Sequence, residues 1–292
     1  MKLQDMIYFD KLVALKSYSN VAEYFQVSQP TISYAIKRLE EEFAVSLVDR
    51  NIHQQIIITP NGLQFDRHIK VVINELNIAK LDLANTHEKV TKFGLPPIIA
   101  NYYFLKFVDQ LINKQLLTGL KTVEAGSNDL LQQLKKGQLD LSLLGSLAPI
   151  QTAQLQSQVL AQDDFKIIVA KNAPLAARKK VHFADLQNEP FLVLGDGFVH
   201  RQVFDQLTAT HHISPTIVYQ ANDVELLKRL VAQGMGISLL TETAITDRDE
   251  LVALDLLDDH LPQFVISLVY RNSTLLTATQ QQLIQIFETK AD

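Results

Sequence analysis

Hydrophobic positions in the first sixty residues recur at helical spacing. "LQDMIYFDKLVAL" (3–15) turns Leu3, Ile7, Leu12 and Val13 to one side. "SYSNVAEYFQVSQ" (17–29) predicts a short second helix with Val21, Ala22 and Phe25 apolar, capped by Ser19 or Asn20, the latter with Glu23 at capping-box spacing. At 100° per residue, "QPTISYAIKRLEEEF" (29–43) sends Ile32, Ala35, Ile36, Leu39 and Phe43 to one face and Pro30, Tyr34, Lys37 and Arg38 to the other. Ser28 is a good N-cap, and Pro30 is tolerated in a first turn whose N–H groups are unpaired anyway. A very short connection, Gln26–Val27, makes these segments a helix-turn-helix, whose last helix enters a DNA major groove with its N-terminal residues first. Glu40, Glu41 and Glu42 at the far end would repel phosphate. On periodicity alone, a small helical bundle with a solvated polar face fits equally well.

The next segments shift that balance. "SLVDRNIHQQIIITPNG" (46–62) predicts a hairpin, Leu47–Arg50 with Gln55–Thr59, closed by polar residues 51–54; as a wing it puts Arg50 and His53 on phosphates. From Asn61 to about Glu88 there is no proline, and Phe65, Ile69, Val72, Leu76, Ala79 and Leu83 alternate at spacings of four and three. That seam predicts a coiled-coil dimer placing two recognition helices on successive half-sites of a pseudo-palindromic operator; a long core helix is the blander alternative.

Beyond residue 90 the pattern becomes alternating strands and helices. Strands are predicted near 120–125 and in "LDLSLLGS", "PFLVLG", "TIVYQ", "GISLL" and "FVISLVYR", with helices at 127–137, 199–210, 223–233 and in "LLTATQQQLIQIFET". This is an open α/β arrangement in two subdomains, crossed by "VLAQDDFKIIVAKN" and the strand near 264–271. Ligands of such sheets sit beyond the C-terminal strand ends, near helix N-termini that favour anions. Asn101, Tyr102, Ser127, Asn128, Ser146, His200, Arg201 and Thr241 are the candidates to converge on a small organic acid. Singly, each has a plain alternative: Ser127 as a helix cap, His200 and Arg201 as a solvated first turn.

Bulk charge does not announce a DNA binder. The chain of 292 residues has formal net charge −5, and residues 1–90 hold ten Lys+Arg against eleven Asp+Glu. There is no cysteine, hence no disulfide, thiolate metal site or thiol nucleophile. No apolar run approaches a membrane span, and the acids in "MKLQDMIYFD" argue against a signal peptide, so a soluble cytoplasmic protein is expected. No GxSxG, HExxH or Walker pattern occurs, and "HH" (211–212) has no carboxylate at ligand-like spacing; neither an enzyme, a metal site nor a cofactor is expected.

"VAEYFQVSQPTISYAIKRLEEEFAVSLVDR…ITPNG" resembles the DNA-binding end of LysR-type transcriptional regulators. The resemblance implies a winged helix-turn-helix, with Gln29, Pro30, Thr31, Ser33 and Lys37 matching the recognition-helix pattern. Tyr34 stands where many members carry arginine or another polar reader, and Val48 where phenylalanine is usual. A looser resemblance, in "GQLDLSLLG" and "VAQGMGISLL", extends to the effector domain of that family, which shares its fold with periplasmic binding proteins; Thr241 replaces a frequent proline. "FGLPPIIANYYF" (93–104) is similar to malolactic-system regulators, with malate as the implied inducer. The expected protein is therefore an α+β multidomain regulator: a winged helix-turn-helix over 1–60, a linker helix over 61–90, and an effector domain over 91–292. The effector domain divides into about 91–161 with 269–292 and about 162–268. Its expected partners are double-stranded DNA, the effector, a second copy as homodimer or homotetramer, and RNA polymerase. A small-molecule binding protein or an α/β enzyme without DNA binding is the competing reading.

Overall fold

A computed structural model describes residues 1–50, 55–84 and 90–289. The chain forms two compact units, Met1–Thr86 and His87–Asp292.

The first unit holds α1 (Leu3–Leu15), α2 (Tyr18–Phe25), α3 (Gln29–Phe43), the antiparallel pair β1 (Val48–Arg50) and β2 (Ile56–Ile58), and α4 (Pro60–Ala84). Phe9, Leu12, Val21, Ile32, Ile36, Leu39 and Leu47 are fully buried in its core. The inward face of α1 differs from expectation. Met6, Tyr8, Phe9 and Leu12 are buried while Leu3 is exposed and Ile7 and Val13 are only half-buried. Aromatic packing sets that face, with Phe9 on Phe65 (5.7 Å) and Tyr8 on Phe25 (4.9 Å). The cap of α2 is Ser17, whose Oγ accepts from the Asn20 amide, so Ser19 and Asn20 lie within the first turn. The helix starts earlier because Tyr18 packs on the core. α3 runs as predicted, except that Phe43, its last residue, is exposed against Phe65 (4.9 Å).

"ITPNG" is a joint between wing and α4. The Thr59 hydroxyl donates to Ser46 O (2.7 Å) and accepts from the Gly62 amide (3.0 Å), capping the helix; Pro60 fills its first position. Gly62 lies so close to Leu47 that a Cβ there would collide with its carbonyl oxygen. The first turns of α4 belong to this unit: Ile69 is buried in the core, with Phe65 and Ile73 packed against it. Phe65 and Ile69 are thereby withdrawn from the predicted seam. Val72, Leu76, Ala79 and Leu83 remain exposed. The end of the predicted linker helix, 85–88, lies outside the described residues.

The second unit contains β3 (Thr91–Gly94), α5 (Val108–Asn113), β4 (Leu120–Val123), α6 (Ser127–Lys135), β5 (Leu141–Ser146), β6 (Leu155–Ala170), β7 (Lys180–Val181) and β8 (Phe191–Leu194). These are followed by α7 (Val199–His211), β9 (Ile217–Ala221), α8 (Val224–Ala232), β10 (Ser238–Thr241), β11 (Leu251–Leu256), β12 (Gln263–Arg271) and α9 (Ala278–Glu288). One sheet runs β4-β3-β5-β12-β6-β11-β7, with β10 also on β6; β8 and β9 pair in parallel apart from it. β6 is longer than the predicted crossing. Its first ten residues pair with β12, and its last six with β10 and β11. Three strands, β3, β7 and β11, and the irregular helical stretch Ile99–Phe107 have no counterpart in the sequence reading. An aromatic cluster of Phe93, Phe104, Phe107 and Phe287 docks α9 beneath β3.

Candidate nucleic-acid interface and effector cleft

In α3, Ser28 Oγ accepts from the Thr31 amide (3.4 Å) and pairs with Thr31 Oγ1 (2.8 Å), which fixes where the helix begins. Gln29, Pro30, Thr31, Ser33, Tyr34 and Lys37 all lie exposed on the side away from the core. Tyr34 is 65% exposed, and among the described residues Lys37 pairs only with Glu41, at 3.6 Å. Arg38 differs from that set. Its Nε and Nη2 donate to the buried Asp5 carboxylate at 3.2 and 2.5 Å, so it ties α3 to α1. The acids beyond it are divided in role: Glu40 Oε1 accepts from the Leu47 and Val48 amides (2.8 and 3.1 Å), pinning the wing. Arg50 ends β1 opposite Ile56. His53 and the wing turn 51–54 lie outside the described residues.

Beside the N-terminus of α3 the surface is concave. A groove of about 500 Å³ is lined by Lys16, Ser17, Tyr18 and Ser19, by Gln29, and by Gln55 and Ile56 of the wing side. Such a groove presents first-turn amides, hydroxyls and a lysine to a phosphate chain. The sequence reading misses Lys16, Ser17 and Tyr18 because it places the cap of α2 too late.

In the second unit, two helix N-termini meet. Ser127 opens α6, is buried, and its Oγ accepts from the Gly145 amide (2.9 Å), leaving its O–H to donate. His200 lies in the first turn of α7 with 3% exposure, its ring between Phe165 and Phe264 (both 5.4 Å). Among the described residues its Nε2 has no hydrogen-bond partner, and burial pushes its pKa down to about 3. The Thr241 hydroxyl, fully buried where β10 pairs with Phe165, is also unpartnered. The loop before α7 closes onto α6: a Cβ on Gly126 would collide with the Gly197 carbonyl. Two neighbouring spaces result, both lined by Ser127 and Val199. One, of about 10 Å³, lies among Ile98, Ser127, Phe198, His200 and Phe264. The other, of about 100 Å³, reaches past Ser127 and Val199 to Asn128, Gly145, Ser146 and Gln202.

The structure therefore brings Ser127, Asn128, Ser146 and His200 to one cleft, with Thr241 one strand away. The other candidates are engaged elsewhere. Arg201 is held by Asp205 (2.9 Å), Gln220 (3.1 Å) and Asp196 (3.3 Å). Asn101 is exposed and lines neither space. Tyr102 hydrogen-bonds Glu225 and Lys228, and the almost fully buried Lys228 also reaches Asp249 (2.8 Å) and Ala244 O (3.1 Å). His211, which has no carboxylate at ligand-like spacing in the sequence, meets the sequence-distant Asp258 at 3.0 Å. Among the described residues no group of three or more potential ligands is placed to hold a metal ion, and no helix is long and apolar enough to cross a membrane.

Family models agree with both halves. Residues 3–63 match the bacterial regulatory helix-turn-helix of the lysR family, and residues 84–292 match the LysR substrate binding domain. The chain is 35% identical over 291 residues to the malolactic fermentation system transcriptional activator of Lactococcus lactis, covering 99% of each. Among solved structures it resembles HinK, a LysR family transcriptional regulator from Pseudomonas aeruginosa (TM-score 0.56, 20% identity, 99% of this chain and 98% of that one). It also resembles the Synechocystis CcmR regulatory domain in complex with 2-PG (TM-score 0.59, 19% identity, 68% of this chain and 95% of that one). The chain belongs to the LysR-type transcriptional regulators, a family of regulators and not of enzymes.

Proposed function

We propose that this chain binds a pseudo-palindromic operator as a cytoplasmic homodimer or homotetramer and adjusts transcription in response to a small organic acid held between the N-termini of α6 and α7. The observation that supports this reading is the exposed flank of α3, Gln29, Thr31, Ser33, Tyr34 and Lys37, beside a groove lined by Lys16, Ser17 and Gln29. The exposed Val72, Leu76 and Leu83 of α4 supply a dimer seam. Malate is the first acid to test, because the full-length relative from Lactococcus serves a malolactic system. With no cysteine in the sequence, a thiol switch is not available to it.

Ligand closing the cleft would change the relative placement of the two halves of the effector domain, and assembly would pass that change to the recognition helices and RNA polymerase. Footprinting of the full chain on its own promoter region tests this. Protection of two half-sites about one helical turn apart, altered by malate, is expected. A footprint unchanged by a confirmed ligand would remove the switch, and absence of any footprint would leave a small-molecule binding protein. Deletion of residues 1–60 should abolish DNA binding and leave acid binding.

A further inference from the structure

The cleft differs from most anion sites in what it lacks. Among the described residues, no lysine or arginine lines either space. Arg201, on the same helix as His200, is taken by Asp205, Asp196 and Gln220. Charges on the elements packed around His200 are likewise answered elsewhere. On β6, Asp163 accepts from the Thr243 amide (2.7 Å) and Lys166 pairs with Asp255 (2.7 Å). Beyond β10, Glu242 also turns to Lys166 (3.5 Å). On α6, Asp129 sits in the first turn, where it already answers that helix dipole. The first turn of α7 carries no acid; its Arg201 amide is taken by Phe198 O (3.1 Å), which leaves the Val199 and His200 amides as the anion position. Beside them stands His200, buried and lining the smaller space, its Nε2 without a hydrogen-bond partner among the described residues.

We propose that the cleft selects a small hydroxy- or dicarboxylic acid as a singly charged species. One carboxylate takes the α7 amides and the Ser127 hydroxyl, and an un-ionised carboxyl or hydroxyl group takes His200 Nε2. The inference rests on the effector reading above and deepens it. A neutral imidazole accepts from an O–H or donates to a neutral oxygen, and offers no charge to a second carboxylate. A second ionised carboxylate there would be desolvated without a counter-charge, which is strongly unfavourable. A dicarboxylate dianion that places its second carboxyl there therefore has to take up one proton to bind.

Calorimetry of the full-length protein with L-malate, the malate monoamide and lactate tests the proposal. At pH 7 the monoamide is expected to bind about tenfold or more tightly than malate. Malate affinity should rise about tenfold per pH unit as pH falls from about 7.5 to about 6, with about one proton taken up, read from two buffers of different ionisation heat. The substitution His200→Phe, which keeps the aromatic packing, should weaken the monoamide and malate alike by about tenfold, because the un-ionised group loses its partner while the cleft still offers no counter-charge. Should that variant not fold, the comparison of acids on the unaltered protein decides alone. Malate bound more tightly than its monoamide at pH 7, or bound without proton uptake, overturns the charge selection and leaves the effector reading intact. No heat from any of the three acids across this pH range, with operator binding intact, removes both.

Discussion

Arg38 holds Asp5 in a two-point grip across the first unit, Nε at 3.2 Å on one carboxylate oxygen and Nη2 at 2.5 Å on the other. The contact joins the back of the recognition helix to α1, so the helix that faces DNA is braced by one of the cations expected to touch it. Burial alone would raise the Asp5 carboxyl. The hydrogen bonds from Arg38 and from the Lys2 amide outweigh it and hold the group below its ordinary 3.8. A carboxyl depressed in the folded state contributes stability that is present above its unfolded value and lost as pH falls through the folded one. Arg38→Ala should therefore lower the melting temperature of the first unit at pH 7, and the deficit should shrink below about pH 4. Melts followed by circular dichroism between pH 3 and 7 check this; equal midpoints at pH 7 would show that the grip contributes nothing.

Lys37 is exposed and lightly paired, which leaves it free for phosphate. Lys37→Ala is expected to weaken operator and non-operator DNA alike and to lower the slope of log affinity against log salt by about 0.9, the release of one counterion. Gel shifts at several salt concentrations measure both. A change confined to the operator would instead make Lys37 a reader of bases.

Leu76 sits in the exposed part of the proposed α4 seam, at 40% exposure. Leu76→Asp should convert dimers to monomers in light scattering while the far-ultraviolet spectrum stays the same. An intact dimer would place the interface elsewhere.

Lys228 is buried among Tyr102, Glu225 and Asp249. Burial pulls its pKa down, but hydrogen bonds to Asp249, Tyr102 and Glu225 outweigh that and hold it above 10.5. Tyr102 is pushed up to about 12 by burial and by its bond to Glu225. Both groups are raised, so their contribution is intact below the unfolded values and fades as pH climbs past them. Lys228→Met should cost roughly 1–3 kcal/mol in urea unfolding at neutral pH, because it takes the donor from the half-buried Asp249 and from the Tyr102 hydroxyl. Ultraviolet titration should find one tyrosine ionising near 12, absent in Tyr102→Phe.

His200 carries the opposite sign. Its pKa is depressed from 6.5 to about 3, so below 6.5 the unfolded chain binds a proton that the folded chain refuses. Stability of the second unit should fall by roughly 1 kcal/mol per pH unit as pH drops from about 6 to 4 on account of this group. His200→Phe should flatten that limb in denaturant titrations.

Much of this molecule is legible from residue spacing because its determinants are local. α3, with Ser28 as cap and Ile32, Ala35, Ile36 and Leu39 inward, is written in fifteen consecutive residues. So are α6, α7 and α8, each within a residue or two of its predicted bounds. What does not show depends on residues far apart in the chain. Arg38 reads as one more exposed cation until Asp5, thirty-three positions earlier, is seen beneath it. Tyr102 reads as a ligand contact until Lys228, 126 positions on, claims its hydroxyl. Two-residue β7 is too short to carry a period, and β11 alternates only weakly between core and solvent. Ser127 and His200 can be found because helix starts are local signals, whereas the closure of Gly197 onto Gly126 leaves no such trace.

The length of β6 has a mechanical consequence. Its backbone leaves β12 at Asp164 and takes up β10 at Phe165 with no loop between. A rotation of one half of the effector domain against the other must then be stored as torsion along a continuous ribbon, which returns like a leaf spring when the load is removed. Glycine inserted between Asp164 and Phe165 would replace that spring with a loose joint, separating how tightly a ligand is held from how far its signal travels.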